Sequence, residues 1–138
     1  MKPAPPFETP DACEAAFYRA FREGDLQSME DLWSADRSII CIHPGRAPLA
    51  GPPAVLQSWR EILGATGGVH VRFDCQDRTT AGSLAVHMGL EIIGEEDDQA
   101  ALVTVTNIYE LTRSGWKMKA HHAAPVHRAA TGSRRPLH

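Results

Sequence analysis

Apolar positions recur along the chain with two different periods, and the change of period divides it. Thr9-Pro10-Asp11 has the form of a helix start: a side-chain cap, a proline at the first helical position and an acid in the first turn. Cys13, Phe17, Ala20 and Phe21 then follow at helical spacing until Gly24. Asp25 caps a second, shorter helix with Leu26, Met29, Leu32 and Trp33 along one side. Ile39 to His43 is a short β-branched run and predicts a strand. Gly51-Pro52-Pro53 opens a third helix with Val55, Leu56, Trp59, Ile62 and Leu63 as its apolar stripe, closed by Gly64 and Gly67-Gly68.

From Val69 onward the period becomes two. Val69, Val71, Phe73 and Cys75 alternate with His70, Arg72, Asp74 and Gln76. A turn at Thr80-Ala81-Gly82 leads to a strand over Leu84 to Ile93, and the acidic loop Gly94 to Gln99 to a longer one over Ala101 to Leu111. Arg113-Ser114-Gly115 turns the chain into Trp116 to Ala124. Helices followed by a meander of strands predict an α+β domain over residues 9–127. Met1 to Glu8 reads as a flexible arm and Arg128 to His138 as a polar tail.

Composition narrows the function classes. The chain has 138 residues, 43% of them hydrophobic, enough for one core. A net charge of -3, from 14 basic and 17 acidic residues, argues against a nucleic-acid binder. No apolar run approaches the ~20 residues that span a bilayer, and the N-terminus lacks the apolar stretch of a signal peptide; a cytoplasmic location is expected. Three scattered cysteines make neither a disulfide framework nor a zinc site. His121 and His122 are adjacent, so on a strand they face opposite ways and cannot share one ion. His43, His122 and Glu91 lack a close-spaced ligand pattern. No metal and no cofactor is expected.

Three stretches carry a family likeness: Trp33 through Ile39-Ile40-Cys41-Ile42-His43-Pro44-Gly45; Leu49-Ala50-Gly51 with Val55-Leu56-Gln57-Ser58-Trp59; and Trp116-Lys117-Met118 through His121-His122 to Pro125-Val126. Together they resemble the SnoaL-like branch of the nuclear transport factor 2-like superfamily, over roughly Asp11 to Val126. The resemblance implies a strongly curved, mostly antiparallel sheet wrapped as a cone around three N-terminal helices, with a pocket in the hollow and a homodimer through the convex sheet face. Ketosteroid isomerase, polyketide cyclases, dehydratases and the association domain of calcium/calmodulin-dependent kinase II share that superfamily. Ala124 departs from it: serine is expected there, and its loss removes a hydroxyl from the pocket rim.

Strand parity assigns side chains to the hollow. On the last strand Lys117 and Lys119 are costly to bury, so Trp116, Met118, Ala120 and His122 are expected inward and His121 outward. Asn107 and Tyr109 are expected inward on the preceding strand, and on Leu84 to Ile93 either parity is open, with Glu91 a possible inward carboxyl. The pocket candidates are therefore Trp33, His43, Trp59, Glu91, Asn107, Tyr109 and His122. A histidine can exchange a proton near neutral pH, and a carboxyl raised by apolar neighbours can act as a general base. Each candidate also has a structural reading: loop fixing for His43, core packing for the tryptophans and His122, and a surface or dimer pairing for Glu91. Ketosteroid isomerase uses an acid pair with a tyrosine; Glu91 and Tyr109 are the nearest chemical equivalents here, without a residue-by-residue match.

The function expected is binding of a small, largely apolar molecule in the cone, with proton-transfer chemistry of the isomerase, cyclase or dehydratase type. The alternative is a non-catalytic association module like the kinase association domain, working through the outer sheet face near His121, Thr104, Thr106 and Glu110.

Overall fold

The computed structural model describes residues 6–96 and 99–127. Helix α1 spans Pro10–Glu23, capped by Thr9, whose side chain accepts from the Ala12 N–H at 3.0 Å. Helix α2 spans Leu26–Leu32 under an Asp25 cap, and α3 spans Pro52–Thr66. The strands are β1 Ile40–Ile42, β2 Leu49–Ala50, β3 Val71–Ala81, β4 Leu84–Ile93, β5 Ala101–Thr112 and β6 Gly115–Pro125. β2, two residues long, carries no periodic pattern that could announce it. Phe7, expected in the flexible arm, instead forms a bridge with Gly115, and its carbonyl accepts from the Trp116 N–H at 2.9 Å. The expected tail, residues 128–138, lies outside the described residues.

The strands form one curved, unclosed six-stranded sheet in the order β2-β1-β6-β5-β4-β3. All neighbours are antiparallel except β1 and β6, which run parallel with Cys41 opposite His121. Three helices on an antiparallel sheet are the α+β arrangement that the two periods predict. The core sits in the hollow, where Phe17 and Phe21 of α1 meet Trp59 of α3 edge to face over Ile39, Cys41, Val71 and Met118. The end of α1 is stitched to the start of β3: the Val69 N–H donates to the Phe21 carbonyl at 3.0 Å. A Cβ on Gly68 would lie 2.3 Å from the Arg22 carbonyl oxygen, so only glycine allows this approach. No helix is long and apolar enough to cross a membrane among the described residues.

Two bulges decide which residues enter the hollow. Between β3 and β4, Cys75 pairs with Gly89 but Asp77 with Met88, leaving Gln76 as an extra residue. Between β5 and β6, Ile108 pairs with Ala120 but Tyr109 with Met118, leaving Lys119 extra. A bulge of this kind reverses side-chain parity beyond it. Trp116 and Met118 are buried as expected, but after Lys119 it is His121 and Ala123 that are buried, while His122 and Ala124 are exposed. His122, expected inward, therefore faces out, and His121, expected on the convex side, is only 2% exposed. The alanine in place of serine at position 124 likewise leaves the hollow untouched.

Candidate functional site

On β4 the open question of facing resolves toward the polar set: Ala85, His87, Gly89 and Glu91 are buried, and Leu84, Val86 and Met88 are exposed. Glu91 thereby enters the hollow with 1% exposure. It lines a cavity of about 320 Å³ together with Phe21 of α1, Trp59 and Ile62 of α3, His43 after β1, and His121 of β6. Val69 and Ile93 add apolar wall, while Pro44 and Arg46 of the β1–β2 loop stand at its exposed rim.

A continuous buried hydrogen-bond chain runs behind this wall. The Tyr18 hydroxyl donates to Glu91 Oε2 at 2.8 Å. The Asn107 amide nitrogen donates to the Tyr18 oxygen at 2.9 Å. That leaves Asn107 Oδ1 to accept, so His121 Nδ1, 2.6 Å away, carries its hydrogen toward it. A second histidine is held similarly. Ser58 donates its hydroxyl hydrogen to the Val55 carbonyl at 2.6 Å, so it accepts from His43 Nε2 at 2.9 Å.

Burial sets the charge states. It pushes the Glu91 carboxyl up to about 7, against the opposing pull of the Tyr18 hydrogen bond. His121 is brought down to about 3 by burial and by the neighbouring His43 and His122, and His43 to about 4 by burial and Arg46. Both imidazoles are neutral at neutral pH. Tyr18 remains a phenol, its acidity suppressed by burial and by Glu91. The cavity thus holds one carboxyl poised to gain or lose a proton near neutrality, in an otherwise uncharged wall.

The remaining candidates lie elsewhere. Asn107 is fully buried and acts in the chain behind the wall. Tyr109 is also fully buried, but its ring packs against His87 and its hydroxyl has no hydrogen-bond partner among the described residues. The carboxyl–tyrosine pair is therefore Glu91 with Tyr18, not Glu91 with Tyr109. Trp33 bridges to Met118 and lines a separate surface groove with Asp31, Glu110 and Lys117. Arg78 of β3 forms an ion pair with Glu14 at 2.8 Å; Glu14 also bonds His87 Nδ1 at 2.7 Å. None of these last four lines the cavity.

Tyr18 and His121 are the partners that strand and helix patterns missed. Tyr18 adjoins the Cys13–Phe17–Phe21 stripe and lies four residues after Glu14, a flank that also faces the sheet. His121 carries no local signal, because its facing depends on the bulge.

Residues 11–127 match the family model described as the SnoaL-like domain. The chain belongs to the SnoaL-like family. Among solved structures, one from Thiobacillus denitrificans, bearing the name calcium/calmodulin-dependent protein kinase type II association domain, is 34% identical with a TM-score of 0.82, covering 90% of this chain and 100% of its own. One from Streptomyces avermitilis, bearing the name of a dehydratase of the nuclear transport factor 2-like family, is 31% identical with a TM-score of 0.72, covering 87% and 100%. A ketosteroid isomerase-like protein from Erwinia carotovora atroseptica shares the fold at 12% identity and a TM-score of 0.65, covering 86% and 94%. No curated protein sequence matches the chain.

Proposed function

We propose that this SnoaL-like protein binds a small, largely apolar molecule in the cavity and transfers a proton on it, in an isomerisation, cyclisation or dehydration. The observation that carries the reading is Glu91: a carboxyl 1% exposed, on the wall of an apolar cavity, held by Tyr18 and brought to about 7. A group whose pKa lies near the working pH is both a usable base and a usable acid. Tyr18 orients the carboxylate, and Phe21, Trp59 and Ile62 supply apolar contact for the substrate body. The test is solvent deuterium incorporation into a panel of apolar ring ketones and their hydroxylated forms, followed for the unaltered protein and for Glu91→Gln. Loss of about 100-fold or more in exchange is expected of the variant. Equal exchange by both, or none by either, would end the reading.

A second reading is assembly. Leu84, Val86 and Met88 are 44%, 39% and 44% exposed at alternate positions of β4, and such an outward apolar row favours pairing of copies through the convex face. The likeness to the Thiobacillus structure supports the same idea. Light scattering separates the cases: a dimer accommodates both readings, and a larger closed ring favours association as the function.

A further inference from the structure

Hydrogen-bond direction around the cavity is determined group by group, and it is lopsided. His121 spends its Nδ1 hydrogen on Asn107, so Nε2 is left as a bare acceptor with no partner among the described residues. His43 spends its Nε2 hydrogen on Ser58, because the Ser58 hydrogen is already committed to Val55; its Nδ1 is likewise a bare acceptor. Glu91 accepts from Tyr18 through Oε2, and Oε1 has no partner among the described residues. The Trp59 indole N–H, a donor of the wall, lies by the Cys41 sulfur and is closed off from solvent. Arg46 can donate, but only from the rim.

We propose that the cavity selects a molecule that donates a hydrogen bond, an alcohol, enol or phenol on an apolar body, over the ketone or ether of similar shape. This rests on the reading that the cavity binds a small apolar molecule, and it deepens that reading by naming the substrate class. A bare acceptor buried beside a ligand that cannot donate loses its water without replacement, whereas a hydroxyl restores the bond. The result is discrimination by the ligand's hydrogen rather than by its outline.

The preference has a pH dependence. Glu91 faces Tyr18 of α1, His43 and Arg46 of the β1–β2 loop, Cys41 of β1 and His121 of β6, with His122 beyond it on the outer side. Of these, the histidines of the wall stay neutral, and Glu91 changes state near neutrality. Once protonated it can itself donate to a ketone, so the preference for hydroxyl ligands weakens below about pH 7.

The experiment has two arms on the unaltered protein. Tryptophan fluorescence is titrated with 2-naphthol, 2-methoxynaphthalene and 2-tetralone at pH 8 and pH 6. At pH 8, 2-naphthol is expected to bind about tenfold more tightly than the other two, the worth of one well-made buried hydrogen bond, and at pH 6 the gap to 2-tetralone narrows. Nitrogen-15 spectra of labelled protein are expected to show His121 protonated on Nδ1 and His43 on Nε2. Equal binding of the ether or ketone at pH 8, or a hydrogen on His121 Nε2, overturns the proposal. Binding of none of the three overturns it together with the binding reading. Selective naphthol binding without Glu91-dependent exchange sinks only the proton transfer. His121→Phe, which leaves the His43 and Glu91 acceptors in place, is expected to narrow the preference, and the spectra decide the matter if that variant does not fold.

Discussion

Glu91 should make this protein less stable as the pH rises, and the size of the effect follows from its burial. A carboxyl whose usual pKa is 4.5 stands at about 7 in the folded chain. Its protonated form is favoured by folding, so the sign is the reverse of a salt-bridged carboxylate. Below pH 4.5 both states carry the proton and Glu91 costs nothing through ionisation. Between 4.5 and about 7 the unfolded chain ionises first, and stability falls. Above about 7 both are ionised, and the loss levels off at about 3 kcal/mol, from ~1.4 kcal/mol per pKa unit. Other groups titrate over the same range, but they cancel in a comparison with Glu91→Gln, which cannot ionise. Urea unfolding of both proteins from pH 4.5 to 8.5 supplies the difference. The variant's stability relative to the unaltered protein should climb by about 3 kcal/mol across the range, whatever constant offset the lost Tyr18 geometry introduces. A difference that stays flat within about 1 kcal/mol would show that Glu91 titrates normally, and the case for a poised carboxyl would fall with it.

Tyr18→Phe removes the donor to Glu91 and the acceptor for Asn107, so a loss of about 1–3 kcal/mol in urea is expected from the orphaned amide, with the Glu91 transition moved still higher in pH. Gly89→Ala places a Cβ 2.2 Å from the Asp74 carbonyl oxygen across the Gln76 bulge; a drop of about 2 kcal/mol or more in chemical unfolding is expected, and a neutral result would mean that β3 does not pass that close. Val86→Lys with Met88→Lys puts two charges on the outward apolar row of β4, and light scattering is expected to report a dimer for the unaltered protein and a single chain for the variant.

The helices and long strands were legible because each shows its apolar period over many residues, and the caps Thr9 and Asp25 act where the sequence puts them. The two-residue β2 was not, since its pairing with β1 is a property of the sheet and not of Leu49 and Ala50. The candidate site divides along the same line. Glu91, His43 and Trp59 line the cavity; Trp59 was legible from the apolar stripe of α3, whereas parity left Glu91 open, and it is the sheet that turns the polar set of β4 inward. His122 was chosen over His121 because burying two lysines is costly, and that reasoning holds up to Met118. It stops at Lys119, whose amine reaches Ser38 and Glu110 from the bulge. Tyr18 escaped because its partner lies 73 residues away, and nothing local marks a helix flank as polar interior.

The extra residue at Lys119 also makes the two adjacent histidines an address and not a motif. Were β6 to pair there without a bulge, with Lys119 taking the place of Ala120 opposite Ile108, every later side chain would be chemically unchanged and yet the two rings would exchange, giving the cavity His122 and the outer surface His121. In this fold, then, the identity of a cavity residue can drift between neighbouring positions without a substitution at either. Spacing counted along the chain should be compared between relatives only after the bulge has been located.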